Sequence, residues 1–335
     1  MFTKIYEKTK NFIKENYKEL LIYVFILLLF TIRLPFYIYI GGGLIDLRDR
    51  IDLKSNETGS YNLVYVKKIN ATIPTYLLSY VIKSWELENA NNYKYDEDEN
   101  ESDIDLREKL YLEEANNNAI VCAYKLAGYN VNIKNNSFKI IYVSNDSDTD
   151  VKIGDKLISI NDVKVNNNFE YKEYLKTLKI GDHVSIKVIR DGKIVDCYAN
   201  LIKFKDETLI GLYLINDYDY EVDPEINLKF NWNESGPSGG FMLSLAIYDR
   251  LVTEDLTRGR KIVGTGTIDI NGNVGEIGGV KHKLIGAVQN KADIFFVPAE
   301  NYEEAIETKK RFNYNIKIVK IKSLQEAIDY LKQEY

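Results

Sequence analysis

A serine in a glycine-rich turn limits how the second half of this chain can fold. The segment NESGPSGG (233–240) follows an alternating strand pattern at 226–232 and precedes apolar residues at helical spacing. Ser238 is therefore predicted at a strand-to-helix turn. The flanking Gly236 and Gly239 let a substrate backbone approach closely, and unpaired N–H groups at a helix start can face a developing oxyanion. An N-cap serine among ordinary turn glycines is the structural alternative.

Two lysines lie near the start of a second predicted helix. Residues 261–298 have the pattern strand, Asn-Gly turn, strand, glycine pair, helix, strand, with Lys281 and Lys283 in the first helical turn. A charged lysine there is unfavourable against the helix dipole, and desolvation can lower its pKa until it acts as a base. A neutral amine can take the proton from a serine hydroxyl. Periodicity does not decide between the two lysines, and either could be a solvated surface charge.

The sequence GPSGG followed by GTGTIDINGNVGEIGGVKHK resembles the proteolytic domain of the Lon protease family, peptidase family S16. The resemblance implies that Ser238 is the nucleophile, that Lys283 is its general base and that Thr265 lies beside the lysine and orients it. Ser235 and Thr267 depart from the family pattern, which affects the expected substrate preference. Because no Walker A sequence is present, the resemblance implies an ATP-independent serine endopeptidase acting on protein or peptide substrates.

The middle of the chain is rich in strand patterns. IGDKLISINDVKV (153–165), a helical pattern at 169–178 and two strand patterns around Asp191-Gly192 resemble a bacterial protease PDZ domain at 112–204. The resemblance implies a groove that takes an extended peptide by strand addition. A small β-barrel that only spaces the catalytic domain from the membrane is the alternative.

An apolar run near the N-terminus predicts a membrane anchor. Residues 20–32 and 34–40 are apolar around Arg33, and a run of about 21 residues can cross a bilayer core. Five lysines precede it, so the positive-inside rule predicts a cytoplasmic N-terminus and an extracellular catalytic domain. A cleaved signal peptide is the alternative, although no small-x-small site follows. With this anchor, the chain resembles the membrane-anchored PDZ-domain Lon-like peptidases of Gram-positive bacteria.

These patterns predict an α+β chain built from an anchor and two domains. Within the membrane-proximal part, a helix is predicted at 74–87, and an acidic run at 91–105 is predicted to be a solvated linker. The predicted segments are a cytoplasmic N-terminus (1–18), a transmembrane helix (19–40), a membrane-proximal segment that packs on the peptidase domain (41–111), a PDZ domain (112–204) and a Lon-type proteolytic domain (205–335).

Composition argues against several other classes of function. The net charge is −6 and no basic stripe is present, so nucleic acid is not an expected partner. The two cysteines, Cys122 and Cys197, form no CxxC pair, which argues against a zinc ribbon. No cofactor and no metal site is predicted, and homo-oligomerisation is an expectation from the family resemblance.

Two rival interpretations use the same residues. GPSGG also matches GxSxG, the nucleophile elbow of α/β-hydrolases, with His282 as base and Asp249 or Asp269 as acid. Too few βα units precede Ser238 for that fold. The other interpretation is an inactive peptidase fold on a membrane-tethered PDZ scaffold.

Overall fold

The computed structural model describes residues 2–96, 99–204 and 207–333 and separates into two compact units, 1–41 with 66–92 and 42–65 with 93–335. The helices are α1 Phe2–Thr31, α2 Ile73–Ser79, α3 Glu101–Leu126, α4 Asn168–Lys176, α5 Gly240–Leu251, α6 Val280–Gln289, α7 Tyr302–Phe312 and α8 Leu324–Gln333. The strands are β1 Arg33–Asp46, β2 Ser60–Thr72, β3 Glu86–Asn89, β4 Val131–Val143, β5 Asp148–Thr149, β6 Lys156–Ile160, β7 His183–Arg190, β8 Lys193–Asn200, β9 Ile202–Phe204, β10 Glu207–Leu209, β11 Leu212–Val222, β12 Lys261–Gly264, β13 Thr267–Ile268, β14 Val274–Gly275, β15 Ile294–Pro298 and β16 Lys317–Ile321.

The helix predicted at 19–40 ends early, and the prediction is wrong for residues 33–40. Helix α1 ends at Thr31, and β1 begins at Arg33 and pairs with β3 in antiparallel register. Pro35 lacks a backbone N–H and disfavours a helical residue before it, while the aromatic and β-branched residues that follow favour a strand. No helix in the described ranges has both the length and the apolar character needed to cross a bilayer.

The predicted helix at 74–87 is shorter than expected. Helix α2 begins with a capping box between Thr72 and Thr75 but ends at Ser79. Residues 86–89 instead form β3, whose backbone groups pair with β1. Strand pairing therefore overrides the local helical spacing in this segment.

Within the larger unit, a parallel sheet organises the peptidase part, which contains most of the predicted proteolytic domain (205–335). Strands β16, β15, β12 and β2 lie in that order and each neighbouring pair is parallel. Helices cover both faces: Ile262 and Phe296 pack in the cluster that contains α5 and α8 residues, and Val263 and Phe295 pack with α6. Burial on both faces explains the unbroken apolar run of β15. Helices α5 and α6 lie on opposite faces, and the N-terminal turn of each contacts the residues that follow β12: Phe241 N donates to Gly266 O, and Lys283 Nζ donates to Thr265 Oγ1.

A six-stranded antiparallel sheet forms the PDZ part, in the order β11-β4-β6-β7-β8-β5. Its core contains Phe138 from β4 and Tyr171 and Leu175 from α4. The Asp191-Gly192 hairpin is observed between β7 and β8, with both turn residues at positive φ. Strand β11 lies beyond residue 204, yet it pairs with β4 along most of its length.

The strand predicted at 226–232 does not form. Only an isolated bridge joins Leu228 to Ile51, and Arg50 holds the segment through the carbonyl of Lys229 and the carboxylate of Glu234. The alternation of apolar and polar side chains in this segment therefore comes from packing of one side of the segment on the peptidase part, and not from membership of a sheet.

The acidic run at 91–105 is not simply a solvated linker. Residues 97 and 98 lie outside the described residues, but Glu99 is buried in an ion pair with Arg107 of α3. Asp96 accepts a hydrogen bond from the Tyr142 hydroxyl. The prediction failed because the cationic partner lies in the following helix, which composition alone does not reveal.

Candidate active site

The serine turn is fastened to the end of β12 by backbone hydrogen bonds. Ser238 lies two residues before the start of α5, and its carbonyl accepts from the backbone N–H of Gly266 at 2.9 Å. In return, Phe241 N donates to the carbonyl of Gly266 at 3.1 Å. The backbone of Ser238 is therefore held against the strand end, where a reactive hydroxyl would need a fixed position.

The backbone and the packing around this serine favour glycine on both sides. Gly236 has φ +87°, the left-handed region that side chains rarely adopt, and its N–H donates to Glu108 O at 2.9 Å. Gly239 has ordinary helical dihedral angles, but a Cβ there would lie 3.2 Å from the side chain of Leu63. The sequence predicted both positions, and packing against β2 explains the second.

Lys283 lies in the first turn of α6, near the serine turn. Gly279 precedes the helix with left-handed dihedral angles, and its carbonyl accepts from Lys283 N at 3.0 Å. The side chain of Lys283 is 4% exposed, and its Nζ donates to Thr265 Oγ1 at 3.0 Å. Thr265 Oγ1 in turn donates to the carbonyl of Ser238 at 3.1 Å. A buried hydroxyl therefore joins the lysine to the backbone of the serine.

Burial determines the charge of this lysine. Desolvation lowers the pKa of Lys283 to about 7, because the buried ammonium loses its hydration. Within the described part of the chain, no carboxylate forms an ion pair with it in exchange. The positive end of α6 acts in the same direction. The amine is thus partly neutral near pH 7, which is the state that a general base requires.

The neighbouring Lys281 has a different environment. Its side chain is only partly buried, and its backbone N–H donates to Glu304 Oε1 at 3.2 Å. Sequence periodicity could not distinguish the two lysines, because it does not show which of them lies beside the end of β12. The structure brings Lys283 to Thr265 and leaves Lys281 at the helix surface.

The acids of the hydrolase alternative are engaged in local turns. Asp249 Oδ1 accepts from Leu256 N at 2.9 Å, and burial raises the pKa of Asp249 to about 7. Asp269 accepts from the backbone N–H groups of Asn271 and Asn273 in the turn between β13 and β14. Both carboxylates therefore stabilise turns in the peptidase part.

A cavity of about 690 Å³ lies beside the serine turn, between the peptidase and PDZ parts. Pro237 and Thr267 line one side, and Tyr218 of β11 and Asn118 of α3 line the other. The Tyr218 hydroxyl donates to Asn118 Oδ1 at 2.7 Å, and Asn118 Nδ2 donates to Ile268 O at 3.1 Å. Sequence analysis missed Tyr218 and Asn118 because they come from separate segments and belong to no motif.

Comparisons with known proteins agree with this division of the chain. The family model of the Lon protease (S16) C-terminal proteolytic domain matches residues 232–333, and that of the PDZ domain matches residues 128–201. Lon protease 2 of Borreliella burgdorferi is 30% identical over 122 residues, which are 34% of this chain and 15% of that protein. Lon protease of Campylobacter jejuni is 27% identical over 121 residues, 32% of this chain and 15% of that protein. Lon protease of Mesomycoplasma hyopneumoniae is 29% identical over 98 residues, 29% of this chain and 11% of that protein.

The chain thus spans at most 15% of the length of these three curated relatives. Among solved structures, the PDZ domain of the SdrC-like protein of Listeria monocytogenes is 21% identical and covers 23% of this chain and 86% of its own, with a TM-score of 0.22. A score this low adds nothing to the family match. From the two family matches, the chain contains a Lon protease (S16) C-terminal proteolytic domain and a PDZ domain.

Proposed function

We propose that this chain is a serine endopeptidase in which Ser238 is the nucleophile and Lys283 the general base. One observation carries the proposal: a buried lysine with a pKa near 7 is joined through Thr265 to the serine turn of a Lon-type proteolytic domain. Gly236 gives the serine turn its left-handed backbone and Gly239 leaves room for the side chain of Leu63, so both fix the shape of the turn that carries Ser238.

The reaction that these residues support is acyl transfer. Neutral Lys283 accepts the proton of the Ser238 hydroxyl while its oxygen attacks the peptide carbonyl, and a tetrahedral oxyanion forms. The resulting ammonium then gives the proton to the departing amine, which leaves an acyl-enzyme that water hydrolyses by the same proton route. Thr265 acts as a positioning residue, since its hydroxyl holds the lysine Nζ without touching the reacting carbon.

The turn before α5 also offers donors for the oxyanion. The N–H groups of Ser238 and Gly239 precede the helix, and within the described ranges no backbone carbonyl accepts from either. Such donors at a helix start can stabilise the developing negative charge. We propose that substrate enters as an extended polypeptide through the cavity beside Pro237. Proton transfer between Lys283 and Ser238 consumes no nucleotide, so we propose that hydrolysis is independent of ATP.

Labelling with a serine-reactive fluorophosphonate tests this proposal directly. The whole chain, without ATP, should be labelled at Ser238 as mapped by mass spectrometry, and the labelling rate should rise through about pH 7 as Lys283 loses its proton. Ser238→Ala should remain unlabelled. A folded wild-type protein that is never labelled between pH 6 and about 10 would instead favour the inactive scaffold.

Membrane attachment and an extracellular catalytic domain are proposed from the N-terminal pattern alone. Five lysines precede the apolar residues 20–31 of α1. The positive-inside rule gives the orientation if this segment inserts. Homo-oligomerisation is likewise a proposal from the family resemblance, and size measurement in detergent would test it.

A further inference from the structure

Strand β11 occupies an edge of the PDZ sheet that would otherwise be open. Residues 212–222 pair antiparallel with β4, from Leu212↔Val143 to Val222↔Val131. Yet the PDZ family match ends at residue 201, before this strand begins. Without β11, the long β4 strand would expose a row of unpaired N–H and C=O groups, and such an edge pairs readily with another strand.

The opposite edge of β4 is already used within the PDZ domain. Ile140 N donates to Asp155 O at 2.9 Å, Gly154 N donates to Ile140 O at 2.7 Å, and Phe138 is paired with Leu157 of β6. The far edge of the sheet is β5, which has two residues. β5 covers only Ala199 and Asn200 of β8, whereas β11 covers the outer edge of β4 from Val131 to Val143. Strand addition at a sheet edge is the mode by which PDZ domains take extended peptides.

The side chains of β11 also fill the space beside this edge. Leu212 and Leu214, two residues apart and on the same face, pack against the core cluster that contains Tyr171 and Leu175 of α4. Tyr213, between them, is 51% exposed on the other face. Two apolar side chains at alternate positions, held between a strand and a helix, are the anchors that a strand-addition groove selects.

Charge complementarity continues along the second half of β11. Asp217 pairs with Lys156 at 2.8 Å and with Lys139 at 3.6 Å, and Glu221 pairs with Lys134 at 2.5 Å. These lysines belong to β4 and β6, so the edge itself is basic. The pairs of Asp217 are partly buried, whereas the pair of Glu221 is exposed and adds little affinity by itself. Together the pairs favour an acidic strand over a basic one.

We propose that β11 is a ligand in cis of the PDZ domain, and that the same edge accepts in trans an extended peptide that reproduces it. The partner has two leucine-like side chains at alternate positions, followed within a few residues by acidic side chains. Such a partner must displace β11, which leads along the chain toward the serine turn. This inference rests on the PDZ sheet and does not depend on catalysis.

Fluorescence anisotropy with a peptide of this chain's own sequence tests the proposal. The probe is a fluorescein-labelled peptide of residues 210–222, and the protein is the whole chain. Leu212→Asp/Leu214→Asp should free the edge and bind the probe saturably, whereas wild type and the matched control Tyr213→Asp should bind about tenfold or more weakly. A probe with lysine in place of Asp217, Asp219 and Glu221 should also bind about tenfold more weakly than the native probe.

Each other result overturns the proposal. Equal binding by wild type and the opened variant would mean that β11 does not compete for the site. No binding by an opened variant that keeps its native circular dichroism would mean that the edge takes no peptide, and equal binding of both probes would exclude the charge preference. If the opened variant does not fold, hydrogen exchange on the wild type decides. Amides of 212–217 should be protected, yet less strongly than those of the β7–β8 hairpin, because a strand that a partner displaces must open without global unfolding. Protection equal to that of the hairpin, or no protection at all, would contradict a displaceable bound strand.

Discussion

Burial of Lys283 disfavours folding at low pH, and the same burial favours the neutral amine that the proposed general base needs. Its pKa is lowered to about 7 in the folded protein, against about 10.4 in an unfolded chain. Between these values the unfolded state binds more protons than the folded state, so the free energy of unfolding rises with pH across this window. Below pH 7 the full cost is present, because the buried ammonium must form or the protein must unfold.

Lys283→Met should therefore stabilise the protein while removing activity. The free energy of unfolding of the variant should exceed that of wild type most at pH 6, and the difference should shrink by about 4 kcal/mol on going to pH 10. Urea unfolding at the two pH values measures this. Lys281→Met is the matched control, and it should change stability by about 0.5 kcal/mol or less. An unchanged difference between wild type and Lys283→Met at pH 6 and pH 10 would show that the lysine has no lowered pKa.

Thr265 is expected to act through the lysine. Thr265→Val keeps the side-chain shape but removes the hydroxyl that accepts from Lys283 Nζ. We expect kcat of Thr265→Val to fall about 100-fold with KM nearly unchanged, and the acidic limb of its pH profile to move. Thr265→Ser keeps a hydroxyl and should restore most of kcat and of the wild-type pH profile. A fall in stability with a normal pH profile would instead assign Thr265 a purely structural role.

At the scale of elements, the active-site helices were more predictable than their meeting point. Glycine-rich turns followed by helical spacing indicated the starts of α5 and α6, and the Asp191-Gly192 turn indicated the PDZ hairpin. Sequence could not show that α5 and α6 lie on opposite faces of a parallel sheet, because β2 joins that sheet from about 200 residues away in the chain. The sequence analysis also interpreted residues 33–40 as helix. When nearly every residue of a run is apolar, hydrophobicity shows neither the helical period nor the alternation of a strand, so it does not distinguish the two.

The segment before α3 depends on one buried ion pair. Glu99→Gln would leave Arg107 buried with its charge uncompensated, although its guanidinium also donates to the Tyr93 carbonyl. We expect the free energy of unfolding to fall by about 3 kcal/mol, and Glu99→Leu/Arg107→Met to recover most of it. Urea midpoints measure both effects.

An exposed ion pair provides the control for this prediction. Glu173 pairs with Lys176 on the surface of α4. Glu173→Gln should leave the urea midpoint unchanged, because exposed pairs contribute little. If Glu99→Gln behaved in the same way, the buried pair would have no role in holding this segment.

At the scale of the whole molecule, the proposed orientation of the chain rests on its lysine-rich start. Protease added to intact cells or spheroplasts should digest the region after Gly41, because the positive-inside rule keeps the N-terminus in the cytoplasm. An N-terminal tag should be digested only after lysis. Protection of the region after Gly41 until lysis would contradict the proposed orientation.

The pairing of Ser238 with Lys283 is the central claim, and ATP-free hydrolysis of an unfolded protein by two variants tests it most directly. Lys283→Ala should be as inactive as Ser238→Ala, because members of one catalytic unit do not act additively. His282→Gln, at the adjacent buried position, should retain substantial activity once circular dichroism shows that it is folded. An active Lys283→Ala alongside an inactive, folded His282→Gln would contradict the account and favour the histidine-based hydrolase.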